Sequence, residues 1–247
     1  MVRLFFVETL YEKEIYLTDK LKKYLKENKP KTIALFAAIQ FIKLEKLKKE
    51  IENLDIIIKT TKAKRTGVEM QILGCDNYHD SFKEPIIEDC DMILYVGDGL
   101  FHPKALLLSQ IKNKKIKSVV LFDPISNEIK ELTKKDIENQ IKKTKANIRK
   151  FLNSDKIGIL VTIKPGQQYF EAAKTLKEKI EKQNKKSYIF IDNTLDLRNL
   201  ENYPFIECWV NTACPRIGTD DITTINQPMI NMREAFDPIK ALEDLEN

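Results

Sequence analysis

The sequence lacks most of the short patterns that announce a chemistry. Across its 247 residues there is no GxGxxG, no GxxxxGK[ST] loop and no HExxH, so a dinucleotide, P-loop or zinc-hydrolase reading has no support. No apolar run approaches the ~18 residues of a membrane-spanning helix. The opening stretch, "MVRLFFVETLYEKEIYL", is apolar for only four residues before Glu8, and reads as a strand rather than a signal peptide. Histidine occurs only twice. Cysteine occurs four times, at 75, 90, 208 and 214, with no CxxC pair and no CxxxCxxC run. That spacing excludes a small-domain disulfide framework and a metal cluster held on one loop. It leaves core thiols, or metal or catalytic ligands, in a cytoplasmic protein.

What is present is an ordinary globular composition. Hydrophobic residues make up 43%, enough for a real core, and charged residues 32%, with Lys and Glu dominant as on solvated helix faces. The net charge of +5 permits an anionic partner without demanding one; no membrane and no direct nucleic-acid contact are expected. Strand and helix signals alternate. "RLFFVE", "KTIALFAA", "DIIIKT", "DMILYV" and "SVVLFDP" read as strands. "EKEIYLTDKLKKYLKEN", "QFIKLEKLKKEIENL" and "KALLLSQIKN" read as helices between them. A basic, then polar segment, residues 61–85, is expected as a long loop that carries Gly74-Cys75. Residues 128–153 contain no Gly or Pro and read as helix. A second unit repeats the pattern: strand "KIGILVTI", "KPGQ" opening helix "QYFEAAKTLKEKIEKQ", strand "KSYIFID", a turn, and strand "FIECWVNT" running to Cys214. A short final strand and a C-terminal helix follow.

This order implies an α/β fold of two similar domains with parallel sheets, built from βαβ units. The boundaries expected are 1–133 for the first domain, 134–153 for a helical linker and 154–247 for the second domain. In such sheets, sites form outside the carboxyl ends of the strands, and the unusual residues cluster there. Gly97 and Gly99 flank Asp98 in a tight turn whose amides could cradle an anion. His102 either caps the following helix, with Pro103 at its start, or reaches a site mouth. Lys164 and Gln167 surround Pro165-Gly166; Lys164 is either a solvated turn lysine or a partner for a carboxylate at a helix N-terminus. Cys214 is either a packed thiol or a ligand, with Pro215 stiffening its loop and Arg216 adding positive charge. Asp220 and Asp221 either orient a ligand or cap a turn. The basic "KAKR", residues 62–65, is either a solvated loop or a protein-contact surface.

Five stretches, "QILGCD", "YVGDGLFHP", "LFDP", "VTIKPGQ" and "VNTACPRIGTDD", resemble in this order the diphthamide synthase family, the 2-(3-amino-3-carboxypropyl)histidine synthases. The resemblance runs from the first strand to about Pro228. It implies a [4Fe-4S] cluster held by one cysteine from each of three similar α/β domains. It also implies S-adenosyl-L-methionine as substrate, bound at the open iron. Reductive cleavage would give a 3-amino-3-carboxypropyl radical that adds to a histidine of translation elongation factor 2. On this sequence the matching cysteines are Cys75 in "LGCD" and Cys214 in "ACPR". Gly97, Gly99, His102, Lys164 and Gln167 are expected to line the substrate site. The family's first domain and its cysteine have no counterpart here, so the third ligand is expected from another chain, in a homo- or hetero-oligomer.

Three functions follow as alternatives. The chain is one polypeptide of a split synthase; or it is a non-catalytic partner of a complete paralogue, binding the substrate factor or aiding electron delivery; or it binds a nucleotide or S-adenosylmethionine for other chemistry. Cys90 and Cys208 do not suit the cluster. Each lies at the opposite end of an extended strand from the carboxyl edge, about 20 Å away at ~3.3 Å per residue.

Overall fold

The computed structural model describes residues 9–113 and 115–246; the strand expected at "RLFFVE" lies outside them. The chain divides into two compact units, Met1–Asp136 and Ile137–Asn247. The first contains α1 (Asp19–Asn28), β1 (Thr32–Ala37), α2 (Glu45–Glu52), β2 (Ile57–Lys59), β3 (Met92–Val96), α3 (Phe101–Leu108), β4 (Val119–Asp123) and β5 (Glu128–Leu132). Its sheet has the order β2-β1-β3-β4-β5. β1, β2, β3 and β4 run parallel, and β5 pairs antiparallel to β4. The central strands "TIALFA" and "MILYV" are apolar and buried on both faces from Ile33 to Ala37 and from Met92 to Val96, as parallel sheets covered on two sides require.

Local chemistry sets where the elements begin. The helix expected from residue 12 starts at Asp19, because the Thr18 hydroxyl accepts from the Leu21 N–H at 3.4 Å and caps it. The amino ends of β1 and β3 are tied by Asp91, whose carboxylate accepts from the amides of Lys31 and Thr32 and from the Thr32 hydroxyl. These bonds hold its pKa below the usual carboxylate value. The first residues of the expected helix 128–153 form β5 instead. The Asp123 carboxylate accepts from Ile125 and Ser126, and Asn127 takes a left-handed φ of 56°. The chain therefore reverses and pairs 128–132 with 119–123.

The second unit contains α4 (Glu138–Leu152), β6 (Lys156–Thr162), α5 (Phe170–Glu181), β7 (Lys186–Asp192), β8 (Cys208–Asn211), β9 (Met229–Asn231), α6 (Met232–Phe236) and α7 (Pro238–Glu246). Its sheet is β7-β6-β8-β9, with every pairing parallel. The helix expected as a linker is a packed element of this unit: Ile148 and Phe151 of α4 bury against Ile157, Ile159, Val210 and Ile230. Each such side chain contributes roughly 1.5–3 kcal/mol of burial. The Asn147 amide donates to the Met229 carbonyl at 2.8 Å, which registers the helix on β9. Alternation sends Gly158, Leu160 and Trp209 to the other face, where a second core of Leu200, Ile206, Ile222 and Met229 forms. No helix among the described residues is long and apolar enough to cross a membrane.

Trp209 covers Gly158 closely. A Cβ on Gly158 would lie 2.4 Å from Cε3 and Cζ3 of the indole, so only glycine admits the ring. Gly158→Ala is expected to lower stability by roughly 1–3 kcal/mol through overpacking. Urea unfolding followed by the emission of Trp209, the single tryptophan, measures this. An unchanged midpoint would show that the indole is not seated on β6.

Candidate functional site

In the first unit, the loop that carries Cys75 is drawn to the carboxyl end of β1. The Ala37 N–H donates to the Met70 carbonyl at 2.9 Å, and the Ile72 N–H returns to the Ala37 carbonyl at 3.2 Å. The chain then turns at Leu73–Asp76. The Leu73 N–H donates to the Asp76 carboxylate at 2.8 Å, and the Asp76 N–H to the Leu73 carbonyl at 3.0 Å. Cys75 sits inside this turn, half-buried and outside any disulfide. Asp76 is only 1% exposed. Burial raises its pKa, against the opposing effects of the Leu73 amide and the Arg65 charge.

The Gly97–His102 segment leaves the end of β3 and meets that turn. A Cβ on Gly74 would lie 2.0 Å from Cε1 of Phe101, so the Phe101 ring rests directly on the backbone that precedes Cys75. Phe101 is 50% exposed, and its ring stands edge-on to His102 at 5.4 Å. His102 lies in the first turn of α3, which begins at Phe101, earlier than the residue spacing implies. Gly97 is buried under the Tyr95 hydroxyl, which a Cβ would approach to 2.6 Å. Burial, and then the charge of Asp98, raises the pKa of Tyr95. Gly99 holds a left-handed φ of 63° in open space. Cys75, Gly97, Gly99 and His102 thus belong to neighbouring loops at one sheet edge.

In the second unit, Lys164, Gln167 and Cys214 follow the adjacent strands β6 and β8. Lys164 is exposed, and its N–H donates to the Thr162 hydroxyl at 3.2 Å; the Gln167 N–H donates to the Lys164 carbonyl at 3.1 Å. The helix does not open at this turn. α5 starts at Phe170, with Tyr169 giving no side-chain cap, so Lys164 and Gln167 precede the helix rather than form its first turn.

The strand expected to run to Cys214 stops at Asn211, and the reason is its side chain. The Ala213 N–H donates to Asn211 Oδ1 at 3.0 Å, while Nδ2 donates to the Cys214 carbonyl at 2.8 Å and to Asn231 Oδ1 at 2.7 Å. Asn231 in turn donates to the Pro215 carbonyl at 2.8 Å. This pair, directly opposite in the β8–β9 register, fixes the turn that presents Cys214. Asn231 lies so close to Gly218 that a Cβ there would be 2.1 Å from its Oδ1. Arg216, expected to place its charge beside the thiol, is 3% exposed and pairs with Asp220, with Nε to Oδ2 at 2.8 Å. Its work is to close the 216–220 turn. Asp221 has its pKa raised by burial and by the neighbouring Asp220.

Cys90 and Cys208 are 2% and 0% exposed. Burial raises the pKa of both thiols, that of Cys208 to about 12, the opposite of what a thiolate ligand needs. Among the described residues no group of three or more His, Cys, Asp or Glu is placed to hold a metal ion. What the chain offers is one partly exposed thiol in each unit, each in a side-chain-braced turn. Phe101, Asn211 and Asn231 carry that bracing and are absent from the sequence-derived set. The signal for the asparagines was a polar amide ending each of the apolar runs "CWVN" and "MIN".

A family model described as "Putative diphthamide synthesis protein" matches residues 2–243. The 2-(3-amino-3-carboxypropyl)histidine synthase of Pyrococcus horikoshii is 30% identical over 164 residues, which cover 66% of this chain and 44% of that protein. Subunit 1 of the same synthase from Yarrowia lipolytica is 26% identical over 224 residues, covering 89% of this chain and 48% of that subunit. The chain thus spans about half the length of the curated relatives it matches. The crystal structure of Dph2 from Pyrococcus horikoshii with a 4Fe-4S cluster superposes with a TM-score of 0.71 at 25% identity, covering 92% of this chain and 63% of that one. A second crystal structure of the same Dph2 gives a TM-score of 0.70 at 27% identity, covering 89% and 61%. The chain belongs to the diphthamide synthesis protein family.

Proposed function

We propose that this chain forms part of a [4Fe-4S], S-adenosylmethionine-dependent synthase that transfers a 3-amino-3-carboxypropyl group to a histidine of translation elongation factor 2. The observation that carries this reading is the sorting of the four cysteines. Cys75 and Cys214, the two that the resemblance assigns as ligands, lie on braced turns outside carboxyl edges, half-buried and outside disulfides, whereas Cys90 and Cys208 are sealed in the cores. Cys75 and Cys214 would hold the cluster, with a third thiolate from polypeptide outside this sequence. The cluster, when bound, supplies the electron that breaks a carbon–sulfur bond of S-adenosylmethionine. The chain's own residues present the thiols and position the substrate. The Leu73–Asp76 turn carries Cys75, and the Asn211–Asn231 pair fixes the turn that carries Cys214. The open backbone around Gly99 and the exposed Lys164 suit the carboxylate of an amino acid.

Two measurements test this. Anaerobic reconstitution of the isolated chain is expected to give weak iron binding. Adding a polypeptide with the family's first domain should restore the cluster absorbance and transfer to elongation factor 2, and Cys75→Ser or Cys214→Ser should abolish both. Full cluster loading of the isolated chain that survives Cys90→Ser with Cys208→Ser would overturn the need for an outside thiolate. Calorimetry of the reconstituted complex with S-adenosylmethionine is expected to show roughly tenfold weaker binding for Lys164→Ala, the loss of one charge-assisted contact. An unchanged affinity would remove Lys164 from the site.

A further inference from the structure

The second unit contains a cavity of about 350 Å³ that none of the cysteine turns uses. Its size falls within the ~300–1,000 Å³ of small-molecule sites. Trp209 lines it and is 1% exposed, yet its indole Nε1 meets no acceptor among the described residues. Buried indole N–H groups ordinarily find a partner, because leaving one unpaired in an apolar setting is costly. The six-membered ring of the indole is the part seated over Gly158, so the N–H lies on the opposite edge of the ring system.

The rest of the lining narrows what could supply the acceptor. Phe190 packs 4.9 Å from Trp209, and Tyr203 packs 4.6 Å from Phe190, giving an aromatic wall. Asp192, the last residue of β7, stands at the mouth with Asn199 and Asn202. One Asp192 oxygen accepts from the Thr194 N–H at 3.3 Å; the other accepts nothing among the described residues. Among the described residues no Lys, Arg or His lines the cavity. Nearby Arg198 is engaged by Asp196, with bonds of 3.0 and 2.8 Å. The cavity therefore has an aromatic wall of mutually inclined rings, one donor without an acceptor, and an acidic mouth with no cation among the described lining residues to neutralise a phosphate. An acidic residue at the carboxyl end of the second strand of a βαβ unit is also where such folds hold ribose hydroxyls.

We propose that this cavity binds a nucleoside without phosphate, its heteroaromatic base against Phe190 and Tyr203, a ring acceptor on the Trp209 N–H and its ribose hydroxyls on Asp192. The inference stands on the second unit alone and does not need the cluster reading. Because Trp209 is the single tryptophan, its emission reports the site directly, and calorimetry gives the affinity independently. The full chain titrated with adenosine, guanosine and uridine should show a saturable change in emission with at least one of them. For that nucleoside, Asp192→Asn and Phe190→Leu should each weaken binding about tenfold, the scale of one lost polar contact or one lost stacking partner. The matching 5′-monophosphate should bind at least about tenfold more weakly than the nucleoside, because its charge meets the carboxylates. Asp192 is exposed, so its variant tests the idea even if Phe190→Leu fails to fold. No saturable change with any of the three, equal affinity for the monophosphate, or insensitivity to Asp192→Asn would overturn the proposal.

Discussion

Parallel strand pairing obliges each connection to leave the sheet at the same edge, and the placement of every candidate residue follows from that constraint. In the first unit β1 and β3 end level, Ala37 beside Val96, so the loops that follow start as neighbours. In the second, β8 ends at Asn211 opposite Leu160, two residues before β6 ends at Thr162, so their loops also leave from one edge. A cysteine placed on the first turn beyond such an edge is partly exposed without leaving the protection of the sheet. A cysteine placed on the strand itself, like Cys208, is drawn into the core, where the cost of burying a thiolate keeps it neutral.

The two units brace their cysteines by different physics. In the second unit the brace is polar and buried. Asn211 and Asn231 are 1% and 4% exposed, and between them they engage an amide and two carbonyls of the 213–215 turn. A fully satisfied buried network of this kind specifies one geometry, because any displacement leaves costly unpaired groups. In the first unit the brace is a half-exposed aromatic ring on a glycine backbone, with one buried carboxylate closing the turn. Ring contacts are less directional than hydrogen bonds.

Much of the fold is legible in the sequence because its signals are strong and local. Runs such as "IALFA" and "IGILV" are apolar without interruption, a pattern and length suited to strands buried on both faces. β5 is not legible in this way. Its "EIKEL" is an exposed edge strand rich in helix formers, and it exists because the Asp123–Asn127 turn brings it back against β4, a tertiary effect that overrides propensity. The cysteine loops are legible as unusual, from Gly74 before Cys75 and Pro215 after Cys214. Their bracing is not, since pairing Asn211 with Asn231 across twenty residues requires knowing that β8 and β9 are neighbours. Arg216 shows the same limit: sequence proximity places its charge beside Cys214, while the fold commits it to Asp220.

The same rule of edges separates the cavity under Trp209 from the cysteine turns. Side chains alternate across a sheet, so Gly158, Leu160 and Trp209 face away from the layer of α4 and α5 that Cys208 and Val210 enter. Gly158 removes a side chain from the centre of that face and Trp209 fills only part of the space with a flat ring, which leaves room bounded by aromatics and by the chain that follows β7. Both faces of this all-parallel sheet carry a packed core, as parallel sheets require. A donor left unpaired within the second of these cores lowers stability, and any acceptor that bound it would return that stability to the folded state.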